Sequence, residues 1–173
     1  MAENISIKQK EHSRWQSECG RYTVTIYVDC FKSMLELAHK YYPKEIGSSL
    51  IGWYSKDGFD AYVSNLTPIP SDSVSMLNRF YRGIKGLRKF YKNLNKSHSG
   101  IIHYVGEWHS HPNGISFPSS IDDANQMAIS NDKKTSCPES VLIIISGDFS
   151  LKYKLGIFIY SRKSGRIQLR QSI

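Results

Sequence analysis

Two histidines one residue apart, His109 and His111, are followed by a turn-rich stretch, "PNGISFP", then by Ser119 and Asp122. On a β-strand alternate residues point to the same face, so the two imidazoles would project side by side while Trp108 and Ser110 face the opposite layer. Pro112, Asn113, Gly114 and Pro118 each favour a reversal of the chain. Ser119 can then cap a helix whose first turn returns the Asp122 carboxylate toward the histidines. Two imidazoles and one carboxylate can share a metal ion and leave one tetrahedral position open, which is the arrangement of a catalytic rather than a structural zinc site. A blander reading uses the same residues: S-x-x-D is also a plain capping box, and the histidines can be polar surface. Spacing by itself leaves both open.

The elements around this stretch predict a single mixed α/β domain, its β-sheet flanked by helices. "YTVTIYV" (22–28) reads as a strand and "DCFKSMLELAHKYYP" (29–43) as a helix capped by Asp29 and ended by Pro43. "SSLIGWY" and "FDAYVSNL" are two strands joined by the turn "SKDG". From Ser73 to Asn95 the apolar residues Val74, Leu77, Tyr81, Ile84, Leu87, Tyr91 and Leu94 recur every three or four positions, the stripe of an amphipathic helix, with Gly83 and Gly86 as places for a break. "IIHYVGEWHSH" restarts as a strand, "SSIDDANQMAIS" is a short helix, and "SVLIIISG", "YKLGIFIYS" and "RIQLRQ" complete the strands. Residues 1–20 have no clear assignment, though Trp15 is a candidate anchor to the core. The domain is read as 21–173, with a basic helical segment at 68–100 inside it.

The chain of 173 residues carries a net charge of +8. Between Asp72 and Glu107 there is no acid but seven bases, Arg79, Arg82, Lys85, Arg88, Lys89, Lys92 and Lys96, which supply most of that excess. No apolar run is long enough to span a bilayer and the N-terminus lacks a signal-like stretch. Cys19, Cys30 and Cys137 make no disulfide framework. The expectation is a soluble cytoplasmic protein with free thiols.

The whole pattern, His109-Ser110-His111, then Ser119 and Asp122, resembles the JAMM (MPN+/JAB) metalloprotease motif at every defined position. That family also uses an upstream glutamate leading a glycine-containing strand, and "EIGSSLIG" from Glu45 fits the role. The elements occur in the family's order from about Tyr22 onward. The resemblance implies that His109, His111 and Asp122 bind Zn2+, which acidifies a water toward neutral pH. It implies that Glu45 is the general base and acid and that Ser119 donates to the oxygen of the tetrahedral intermediate. Ser119 as a helix cap competes with that role, since one hydroxyl has one proton.

Some neighbours compete for these roles. Glu107 shares strand parity with the histidines and is either a second base, a partner orienting an imidazole, or a solvated strand-end carboxylate, the last being preferred. Asp123 would replace Asp122 only if the helix were rotated. His98 and His103 are taken as structural or surface residues.

"GEWHSHP" and the Glu45 segment look closest to bacterial JAB deconjugases of CBASS and related antiphage operons. That branch implies an isopeptidase acting after the extended C-terminal tail of a conjugated protein, a ubiquitin-like modifier or a cyclic-oligonucleotide synthase. Such a tail is expected to add as a strand at a sheet edge near the metal. A RadC-like domain linked to DNA metabolism and a non-catalytic JAB scaffold are the alternatives. Scaffold branches usually lack one or more of Glu45, His109, His111, Ser119 and Asp122. The basic segment 73–96 reads as a solvated face, a dock for an acidic protein surface, or a nucleic-acid contact, and no base-reading module accompanies it.

Overall fold

The structure, a computed structural model, describes residues 12–149 and 152–172; residues 1–11, where most of the unassigned N-terminal stretch falls, lie outside it. Eight strands form one closed barrel: β1 (His12–Ser17), β2 (Thr23–Tyr27), β3 (Gly47–Tyr54), β4 (Asp60–Leu66), then, in labels that count every strand, β7 (His103–Pro112), β8 (Glu139–Gly147), β9 (Tyr153–Ser161) and β10 (Gly165–Gln171). β5 (Val74–Met76) and β6 (Arg79–Tyr81) make a separate two-stranded hairpin. Around the barrel the order is β1-β10-β9-β8-β7-β3-β4-β2. The β2–β4 and β7–β8 pairs are parallel and the rest antiparallel, so the sheet is mixed as expected.

The run "VLIIIS" in β8 is apolar without alternation because both of its faces are covered. Val141, Ile143 and Ile145 join the main core, while Leu142 and Ile144 meet Phe158, Tyr160 and Met127 in a second cluster. Met127 belongs to α3 (Ser120–Asn131), which therefore packs on the outer face of β8 and β9. α1 (Val28–Tyr41) sends Cys30, Met34 and Ala38, spaced by four, into the main core. Trp15 of β1 packs against the same core, as its sequence position suggested.

Three sequence expectations are corrected. Asp29 does not cap α1: the N-cap is Tyr27, with no side-chain bond, and Asp29 sits in the first turn, where its charge suits the helix dipole. The amphipathic helix over 73–95 does not exist as one element. Its first part is the β5–β6 hairpin, and only Leu87–His98 is helical (α2), starting after Gly86 at φ 86°, a conformation that favours glycine. Finally, closure of the barrel leaves no open edge at the histidine strand. β7 is hydrogen-bonded to β3 as far as His109 on one side and to β8 on the other, so the open strand edges beside the cleft are those of the β5–β6 hairpin rather than of β7.

Cys19, Cys30 and Cys137 are all free, the last two buried. Among the described residues no helix is long and apolar enough to cross a membrane.

Candidate metal centre

The site is built where β3 and β7 run against each other with unusually little room. Gly47 lies opposite His109, and a Cβ on Gly47 would stand 2.3 Å from the Trp108 carbonyl oxygen and 2.8 Å from His109 Cβ. Only glycine lets the backbones approach so closely. Just outside this pair the Ile46 N–H donates to Ser110 Oγ at 3.0 Å and the Ser110 N–H returns a bond to the Ile46 carbonyl at 2.8 Å. The Trp108 indole N–H donates to Ser48 Oγ at 2.9 Å. The residues alternating with the histidines thus fasten β7 to the start of β3, and Glu45 is placed by being the residue before Ile46.

His109 and His111 do project together. Their Nε2 atoms are 2.9 Å apart, and Asp122 returns from the first turn of α3 with Oδ1 3.4 Å from His109 Nε2 and Oδ2 3.8 Å from His111 Nε2. The three ligand atoms all lie within 4.8 Å of one another. His111 Nδ1 faces the Ile115 carbonyl at 3.0 Å. Donation there puts the proton on Nδ1 and leaves the Nε2 lone pair facing Asp122 and His109. Burial, then the neighbouring His109, lowers the His111 pKa, which also favours the neutral ligand form.

Asp122 is the N3 residue of a complete capping box as well as a member of the triad. Its Oδ2 accepts from the Ser119 N–H and from Ser119 Oγ–H, both at 2.7 Å, and Ser119 Oγ accepts from the Asp122 N–H at 3.2 Å. The capping box is therefore present, and it leaves Asp122 beside the two histidines. Burial pushes the Asp122 pKa up, but the His109 bond and charge, followed by Ser119, outweigh it and hold the carboxyl well below the usual range. The Ser119 proton is directed at Asp122, so action on a substrate oxygen requires that it turn into the cleft. Asp123 points elsewhere: Tyr160 donates to it, and Arg166 clamps both of its oxygens at 2.8 and 2.7 Å.

Glu45 lines the same open cleft, of about 730 Å³, as His109, His111, Ser119 and Asp122. Burial raises its pKa to about 6, with His109 and Arg79 opposing and Asp122 adding to the rise. The cleft's other lining comes from Asn78 to Arg82 of the hairpin and from Ile121, Asn125 and Ile129 of α3. The Glu45 N–H donates to the Met76 carbonyl at 2.8 Å, so the hairpin touches the glutamate directly.

Glu107 is not a solvated strand-end carboxylate. Its side chain is only 13 % exposed, paired with Arg82 at 3.2 Å, and accepts from Tyr104 OH at 3.0 Å and Ser49 Oγ at 3.2 Å. Burial raises its pKa, against the pull of Arg82 and the two hydroxyls. The hairpin and Arg82 were not legible as parts of the site; the lack of any acid among seven bases was the one available signal that an arginine there would find its partner elsewhere. His103 is half-buried and its Nδ1 has no hydrogen-bond partner, whereas His98 is exposed and bonds the Leu94 carbonyl within α2, in line with structural or surface roles.

The family model for prokaryotic homologs of the JAB domain matches residues 28–154, which include every residue of the cluster. A protein of Enterobacter hormaechei subsp. hoffmannii (strain UCI 50) named "CD-NTase/cGAS isopeptidase" is 34% identical over 167 residues, covering 96% of this chain and 89% of the relative. A solution structure of a Desulfitobacterium hafniense protein aligns with a TM-score of 0.55 at 20% identity, over 86% of this chain and 89% of that one; it shows likeness of fold alone.

Proposed function

The chain belongs to the prokaryotic JAB-domain family, and from that premise we propose that it is a zinc-dependent isopeptidase that removes a protein conjugated through its C-terminus. The observation that carries the reading is the convergence of His109, His111 and Asp122 in one cleft with Glu45. The donor set suits zinc: two imidazoles, one with its tautomer fixed by the Ile115 carbonyl, and a carboxylate already deprotonated. Bound there, zinc supplies Lewis acidity toward the scissile carbonyl and toward a water.

The chain's own groups do the rest. Glu45 takes the proton of the attacking water and hands it to the departing amine; a carboxyl with a pKa raised toward neutrality suits both transfers. Ser119 turns its hydroxyl from Asp122 to the carbonyl oxygen as negative charge develops on it. Asp122 keeps its backbone bond from Ser119 and so stays in place when the hydroxyl leaves.

The substrate we infer is a conjugate of a CD-NTase, a cyclic-oligonucleotide synthase, because the Enterobacter relative is named for that activity. The setting would be an antiphage operon and the compartment the cytoplasm. With the barrel closed, an extended tail runs along the cleft between the hairpin and α3. The bases Lys85, Arg88, Lys89, Lys92 and Lys96, on and before α2, would favour an acidic surface on the conjugate.

The test is metal content and cleavage measured together. Purified protein should hold one zinc per chain and cut a CD-NTase tail fusion; His109→Ala should lose both, and Glu45→Ala should keep zinc and lose cleavage. Absence of zinc from folded protein after reconstitution would sink the reading.

A further inference from the structure

The segment 72–85 is closed on itself at its base. The Asp72 carboxylate accepts the N–H groups of Ile84 and Lys85 at 3.1 and 3.0 Å, and Ser73 Oγ accepts that of Gly83 at 2.9 Å. Beyond this base the hairpin meets the barrel through Phe80, which is half-buried against the main core, through the Met76 carbonyl on Glu45, and through Arg82 on Glu107. The last contact is the most constrained. The Glu107 carboxylate is tied to Ser49 of β3 and Tyr104 of β7, and its remaining oxygen receives Arg82 Nε. The pair is largely enclosed, so neither charge can lose the other without being left poorly solvated.

The same contacts argue against Glu107 as a base. Two hydroxyls occupy Oε1 and the guanidinium faces Oε2, so three of the carboxylate's roughly four acceptor sites are taken and the adjacent positive charge opposes its taking a proton from water. We infer that Glu107 is a positioning residue: with Arg82 it clamps the β5–β6 hairpin as the outer wall of the cleft, so that a substrate tail is gripped between that wall and α3. The tail as ligand rests on the isopeptidase reading; the clamp does not. Glu45 has a second support, the Ile46–Ser110 bonds, which is why loosening the clamp weakens grip more than chemistry.

The experiment compares wild type with Arg82→Ala, Glu107→Gln, the double variant and Arg82→Lys. It reads steady-state cleavage of a CD-NTase tail fusion, zinc content, and hydrogen exchange of the 74–81 amides. Each single variant should raise KM about tenfold and change kcat far less. The double variant should be no worse than the stronger single one, since both break one contact. Arg82→Lys should recover part of the loss. Zinc content should hold, and the hairpin amides should exchange faster in the first three variants. A collapse of kcat at unchanged KM would overturn the inference and put Glu107 in the chemistry. Additive losses, or hairpin exchange that does not change, would overturn the clamp. A wild type that cleaves nothing while the variants exchange faster supports the clamp and counts against the isopeptidase reading instead.

Discussion

On one side of the cleft His109 and His111 rise from a strand that is hydrogen-bonded along both edges, to β3 and to β8. On the other side Asn78 to Arg82 rise from a hairpin of three-residue strands, with Leu77, Tyr81 and Ile84 exposed and a single ion pair as its most enclosed tie to the barrel. The first wall shares its backbone bonds with the barrel and can move only if the barrel deforms. The second can shift by breaking a few contacts. On the proposed function, groups that must be held to fractions of an ångström stand on the first, and groups that would meet a variable ligand stand on the second. The division explains why the Gly47 contact is so close while the hairpin's own turn is loosely covered.

The largest effect is expected at Asp122, the proposed metal ligand. Asp122→Ala should abolish zinc retention and lower cleavage by at least about a thousandfold, while helix capping accounts for only about 1 kcal/mol of lost stability. Metal analysis and thermal unfolding of the same sample read the two effects, and a large stability loss without metal loss would contradict the assignment. Ser119→Ala comes next. Loss of the cap costs about 1 kcal/mol, and loss of the turned hydroxyl should lower kcat about a hundredfold with zinc retained. Undiminished kcat would leave the hydroxyl with the cap as its sole task.

Ser110→Ala tests how far the rigid wall depends on its hidden face. It leaves the buried Ile46 N–H without its acceptor and should cost about 1–3 kcal/mol in urea unfolding. Since Glu45 adjoins Ile46, kcat should fall about tenfold with no change in zinc content. The smallest effect belongs to the other wall. Raising salt should lower kcat/KM a few times more than kcat if the bases of the hairpin and α2 draw in an acidic conjugate. Equal losses in both would remove steering from the account.

What could be read from sequence divides along the same line. His109, His111, Ser119 and Asp122 are joined by local geometry, a strand, a turn and a capped first helical turn, so spacing made their meeting one of two open readings and the family resemblance chose between them. Glu45 was legible only through family resemblance, because nothing local ties "EIG" to "HSH"; the tie is the long-range bonding of Ile46 to Ser110. The 74–81 hairpin was misread because Val74, Leu77, Tyr81 and Ile84 fall at helical intervals by coincidence, and three-residue strands are too short to show alternation. Glu107 was misjudged for a related reason: two of its partners, Ser49 and Arg82, reach it only after the chain has folded back. Strand positions were largely legible, but closure was not, since periodicity reports which residues are covered and never which strand is the neighbour.

That closure has a consequence for how the molecule is made. The barrel is completed by pairing β1 with β10, strands at opposite ends of the described residues. During synthesis the N-terminal strands leave the ribosome long before the stave that finishes the ring, so until β10 emerges the nascent sheet carries raw edges at β1 and β9. Folding to the closed form is thus a late, nonlocal event, and chains cut short before residue 165 should be the sticky species in a cell, whereas the finished ring offers its neighbours no strand to join.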